Sequence, residues 1–189
     1  MFLEGPKNRR SSKNIGVVLI ETVVAIVMSA VVANTLLPAA TDAMRTAKLS
    51  SSATALYADL NTGRIAAINH NSAVVVCSVR DPFGQNLRCN HDAPQWHQGW
   101  VIFLRSNTPR GIEIDPASII VRHTALPLGV QAIETSHRDE VTFLPDGTAK
   151  IDASFDFSMP EIRRPLPLRR LKVDRRGHLS LSVTQPAST

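Results

Sequence analysis

The chain has 189 residues, of which 43% are hydrophobic, 20% charged and only 5% aromatic. That is room for one membrane helix and one modest domain with a core of Val, Ile, Leu and Ala. The net charge of +5 is unevenly spread: the first sixteen residues carry a net +3, residues 161–178 carry a net +5, and the stretch between is net acidic.

Residues 1–16 are polar, basic and rich in Ser and Asn, with Lys7, Arg9, Arg10 and Lys13 against Glu4. They cannot build a core and read as a leader. Residues 17–40 follow as an apolar run that would span about 36 Å as a helix, enough for a bilayer core. One acidic side chain, Glu21, stands inside the run. A carboxylate at membrane depth is costly, so it asks for a partner or a purpose. Near a helix N-terminus the macrodipole would favour it, and a freed amine on Val17 would be its natural opposite charge. Five residues along its own helix it is poorly placed for its own terminus. It is better placed for the terminus of a staggered neighbour. Pro38 removes an amide donor inside the same helix and is expected to kink it. Two simpler readings of the segment stay open: a secretory signal peptide ending near Pro38-Ala39-Ala40, and a plain signal anchor. Neither explains Glu21.

Beyond Pro38 the pattern stays helical to about Asn69. Leu49, Ala53, Leu56, Leu60, Gly63 and Ala67 recur at spacings of four and three, a narrow apolar stripe on residues 41–69. The composition then shifts. Ala73–Val79, Gly99–Arg105, Ser118–Thr124, Glu140–Leu144, Arg170–Asp174 and Leu179–Val183 read as strands. Asp81-Pro82-Phe83-Gly84 fits a type I turn. Pro145-Asp146-Gly147 and Arg175-Arg176-Gly177 read as hairpin turns. Ile102 should share a face with Trp100, and Phe103 with Val101. The expected class is α+β: a long N-terminal helix packed on a mostly antiparallel sheet, with a β-rich domain over 70–184 and a frayed tail at 185–189.

Basic residues ahead of the apolar run place the N-terminus in the cytoplasm and export the body. In that compartment Cys77 and Cys89 read as a disulfide, which would stabilise the fold by about 3 kcal/mol in the chain-entropy model. Cys89, His91 and His97 are close enough in sequence to suggest a metal site, but no second cysteine pair completes it and the disulfide would consume Cys89. No nucleophile elbow, phosphate-binding glycine loop or deaminase signature occurs. Neither an enzyme nor a cofactor is expected.

Gly16, followed by Val17-Val18-Leu19-Ile20-Glu21, resembles the class III signal of type IV prepilins and pseudopilins. That resemblance implies a prepilin peptidase that cuts between Gly16 and Val17 and methylates the new amine. It also implies that Glu21 sets subunit register in a filament, and Pro38 falls where many pilins carry a helix-kinking proline. The family usually has Phe and then Thr after the cut, where this chain has two valines. Further along, Ala66-Ala67-Ile68-Asn69-His70-Asn71, Val74-Val75-Val76-Cys77, Cys89 and Trp96-His97-Gln98-Gly99-Trp100-Val101-Ile102-Phe103 resemble the GspH/FimT family of minor pseudopilins. So do Val141-Thr142-Phe143-Leu144-Pro145-Asp146-Gly147 and Arg170-Leu171-Lys172-Val173 with Gly177. The resemblance implies a minor pilin anchored once in a bacterial inner membrane, N-terminus cytoplasmic and body periplasmic. Its partners would be other major and minor pilins or pseudopilins. The context would be a type IV pilus or a type II secretion pseudopilus. Trp96, Trp100 and Phe103 are expected to be core.

Arg169, Arg170, Lys172, Arg175 and Arg176 cluster about the last turn and could meet phosphates with forked donors. FimT-like minor pilins include DNA binders with a Gly-Arg-x-Arg motif in this hairpin. Here the corresponding stretch is Gly177-His178-Leu179-Ser180, which lacks both arginines. The alternative is a solvated basic edge that discourages strand pairing or meets an acidic partner subunit.

Overall fold

The computed structural model describes residues 12–84, 86–91, 95–105, 114–160 and 166–184. The side chains of residues 12–17 and 32–39 lie outside the described set. The chain divides into two units, residues 1–45 and 46–189. One helix, α1, runs from Ser12 to Asn69.

In the first unit α1 begins ahead of Gly16, within the expected leader, so both Gly16 and Val17 have helical backbone. Every described side chain from Val18 to Val31 is exposed. Among the described residues no helix is long and apolar enough to cross a membrane; the apolar run of residues 17–40 contains the undescribed side chains of residues 32–39. Pro38 lies in continuous helix, and its side chain is outside the described residues.

In the second unit α1 ends at Asn69, as the periodicity predicts. Leu49, Ala53, Leu56, Leu60 and Ala67 are buried. They form one core with residues from two four-stranded antiparallel sheets. The first sheet, ordered β3-β2-β1-β5, is built from β1 (Val74–Ser78), β2 (Trp100–Leu104), β3 (Ile119–His123) and β5 (Glu140–Phe143). The second, ordered β4-β6-β7-β8, is built from β4 (Gln131–Glu134), β6 (Ala153–Ser158), β7 (Leu168–Val173) and β8 (Leu179–Thr184). Two of these strands, β4 and β6, and the division into two sheets go beyond the sequence reading.

β1 is buried along its whole length because it is covered on both faces. Val74 and Val76 face the main core, while Val75 and Cys77 face a smaller cluster with Val79, Leu87, Val101 and Ile114. This is why the strand reads as a continuous apolar run and not as an alternation. β2 divides as expected, with Trp100 and Ile102 in the main core and Val101 and Phe103 in the smaller cluster. Trp96 meets Phe155 edge-on at 4.8 Å and donates its indole N–H to the Arg138 carbonyl at 3.0 Å. Trp100 donates to Asp59 of α1 at 2.8 Å and stacks on His123 at 4.0 Å. Both indoles are fully buried with their polar atom satisfied, a packing role.

Candidate assembly and binding surfaces

Between Val18 and Val31 the apolar helix presents one ionisable group. From Val18 to Val31 the polar residues are Glu21, Thr22 and Ser29. Thr22 Oγ1 donates to the Leu19 carbonyl at 2.9 Å and Ser29 Oγ to the Ala25 carbonyl at 2.7 Å. Both hydroxyls are thus satisfied within the helix backbone, the usual solution for such residues in an apolar helix. A carboxylate has no proton to donate and cannot use those carbonyls. Glu21 has no hydrogen bond or ion pair among the described residues.

The cysteines form a disulfide, Cys77–Cys89, with Cα atoms 5.6 Å apart. It fastens the segment after β1 over the outer face of the first sheet, where Leu87 joins the smaller core. The turn at Asp81 closes as its residues suggest, with Gly84 N–H donating to the Asp81 carbonyl and Phe83 N–H to its side chain. Cys89 is therefore no metal ligand. His91 lies against Asp139, and His97 sits in a separate 3-10 turn at Trp96–Gln98. Among the described residues no group of three or more His, Cys, Asp or Glu is arranged to hold a metal.

The five basic residues of the C-terminal hairpin point in three directions. Arg169 shares the inner face of β7 with buried Leu171 and Val173. Arg170 and Lys172 lie on the outer face. Arg170 makes a two-pronged pair with Asp156 of β6, at 2.6 and 2.7 Å. Those hydrogen bonds and the carboxylate charge hold the guanidinium pKa above its ordinary value. Arg175 and Arg176 stand exposed at the turn, where Arg175 approaches Asp152 at 3.5 Å with both side chains largely in solvent. Such a pair is weak and easily exchanged. All five lie on β7 and its turn, one strand inward from the sheet edge. The edge strand itself, β8, carries no charge.

That turn is held from beneath by a contact the sequence did not suggest. Gly147 and Gly177 both have positive φ, at 80° and 77°. A Cβ on Gly177 would fall 2.1 Å from the Gly147 carbonyl oxygen. The same oxygen accepts a hydrogen bond from Arg64 Nε of α1 at 2.9 Å, and Ala149 N–H donates to the Arg175 carbonyl at 3.0 Å. The two hairpin turns therefore meet backbone to backbone, with the helix arginine joining them. The two motif glycines, each read separately as a turn residue, are one contact.

A family profile described as Type II transport protein GspH matches residues 52–177, more than half the chain and nearly all of the second unit. The chain belongs to the GspH family. GspH-family proteins are pilin-like structural subunits and not enzymes, and membership makes this chain a minor pilin or pseudopilin that assembles with other pilins. It implies a membrane-anchored subunit of a pilus or pseudopilus with a periplasmic domain. Among solved structures, the type IV minor pilin FimU of Pseudomonas aeruginosa superposes with a TM-score of 0.57 at 19% identity, covering 76% of this chain and 98% of that one. A second crystal form of FimU gives 0.53, covering 74% and 99%. The minor pseudopilin EpsH of the Vibrio cholerae type 2 secretion system gives 0.48 at 16% identity, covering 72% and 97%. No curated protein matches the sequence.

Proposed function

We propose that this GspH-family chain is a minor pilin of a type IV pilus, anchored by a single pass of α1, cut between Gly16 and Val17 and methylated on Val17. Glu21 then pairs with the Val17 amine of a neighbouring subunit and sets its register, and Pro38 bends the helix above the packed region. The observation that carries the reading is the Glu21 carboxylate, without a partner among the described residues, on an exposed apolar helix whose two hydroxyls are satisfied internally. A charge of that kind is tolerated where an opposite charge arrives from another subunit. Likeness of fold to FimU is consistent with the pilus setting. Mass analysis of the mature protein tests it: a methylated Val17 is expected, and a terminus near Thr41 would overturn the reading. Glu21→Ala should still insert in the membrane but fail to enter filaments.

The type II transport description of the family profile supports a second setting, a secretion pseudopilus. Deleting the gene separates the two, since one predicts lost pili and the other lost export of folded proteins. Exposed Arg175 and Arg176 support a further role in DNA uptake. Full-length protein in detergent would then bind duplex DNA more weakly as salt rises. Unchanged binding by Arg175→Glu/Arg176→Glu would remove that role from the hairpin.

A further inference from the structure

Among the described residues the two sheets leave four edge strands, and three of them carry a device that resists pairing with another chain. β3 has Arg122, whose guanidinium donates to the Pro82 carbonyl at 2.6 Å. β4 has Glu134, a carboxylate 1% exposed on the inner face, accepting from the backbone N–H groups of Ser136, Arg138 and Ser154. β5 has Glu140, and its free side is taken by the returning chain, with Lys150 N–H donating to the Thr142 carbonyl at 2.9 Å. Charges and inward-pointing carboxylates are the usual means of blunting an edge. β8, Leu179–Thr184, has neither charge nor proline. Its inner-face residues Leu181 and Val183 remain 39% and 54% exposed, although they continue the face that buries Leu171 and Val173. Its outer face offers Ser180 and Ser182, both small.

Among the described residues, the charge around this edge that is left without an ion pair is basic. Arg170 is neutralised by Asp156, but Arg169, Lys172 and Arg176 have no ion pair among the described residues. Arg169 stands beside Val183 on the inner face, and Lys172 beside Ser180 on the outer face. A strand added to β8 would place alternate side chains over Leu181 and Val183, and the others beside Ser180 and Ser182, within reach of long basic side chains from the next strand.

We propose that β8 is a docking edge for an extended segment of a partner protein whose side chains alternate between apolar and acidic. Backbone hydrogen bonds to the edge supply affinity, the apolar set completes the inner face, and the acidic set answers Lys172. The proposal stands on the sheet edge alone and does not depend on processing at Gly16 or on the filament.

The test uses full-length protein in detergent micelles and a labelled ten-residue peptide alternating Val and Glu. Controls are a scrambled peptide of the same composition and a Val–Lys peptide. Expected results are saturable binding of the Val–Glu peptide only, slowed amide exchange across residues 179–184, and about tenfold weaker binding by Leu181→Lys/Val183→Lys. Both substituted side chains are substantially exposed, so the fold should be retained, and unchanged exchange in β1 and β6 checks this. Equal binding by the double variant, protection elsewhere than β8, or self-pairing of the protein through β8 without peptide would each overturn the proposal. So would duplex DNA, and no peptide, protecting the hairpin.

Discussion

The two parts of α1 use apolar side chains in opposite ways. Between Val18 and Val31 they are distributed all round the helix and every one is exposed. Between Leu49 and Ala67 they form a stripe, and the stripe is buried. The first part is also the richer in apolar residues, but the arrangement decides what each can be packed against. A stripe can be satisfied by one surface of its own chain, while a helix apolar on every side can be satisfied only by surroundings. Stability of the folded body should therefore answer to the second part, and assembly to the first.

The strongest way to break that division is paired truncation. Leu60→Ala removes a fully buried side chain and should cost about 2–5 kcal/mol in denaturant unfolding of the full-length protein followed by tryptophan fluorescence. Ile26→Ala should leave that transition in place and lower incorporation into filaments. If both lower the unfolding midpoint equally, the division is wrong. Reducing the Cys77–Cys89 disulfide should come next, at about 3 kcal/mol, because the bond closes only a short loop. Asp59→Ala tests the polar tie between helix and sheet. It leaves the buried Trp100 indole N–H without its acceptor and should cost about 1–2 kcal/mol, read by the same unfolding curve.

The smallest effect is in pH. Hydrogen bonds from the Thr148 hydroxyl and N–H to Asp146 lower its pKa below 3.8. A depressed carboxylate contributes stability that is complete above its unfolded value and is lost as pH falls through the folded one. Asp146→Asn should therefore be slightly less stable than the parent at neutral pH, with the difference closing as pH falls below 3.8. A difference that stays the same, or grows, as pH falls below 3.8 would contradict the assignment.

What could be read from the residues follows the range of the forces involved. The helix stripe, the end of α1 at Asn69 and the opposed faces of β2 are local periodicities, and all stand in the structure. β6 was equally readable in principle, since Ala153, Phe155 and Phe157 alternate with Ser154, Asp156 and Ser158. Its serines and aspartate dilute the β-signal of the two aromatics. β4 is four residues long and ends in Glu134, a charge that reads as solvent-facing until its three backbone donors are seen. The separation into two sheets depends on pairings across long stretches of chain, which no local pattern encodes. The hairpin arginines illustrate the same limit. They are neighbours in sequence, yet strand alternation and Asp156 divide them among separate surroundings.

The meeting of Gly147, Gly177 and Arg64 has a consequence for how the gene can change. A side chain at position 177 would collide with the carbonyl of position 147, and moving that carbonyl away would abandon the arginine on the helix. No single substitution at one of the three can be compensated locally. Their effects should therefore fail to add in a double-mutant cycle, and lineages that drift at one position should be found to have altered the others.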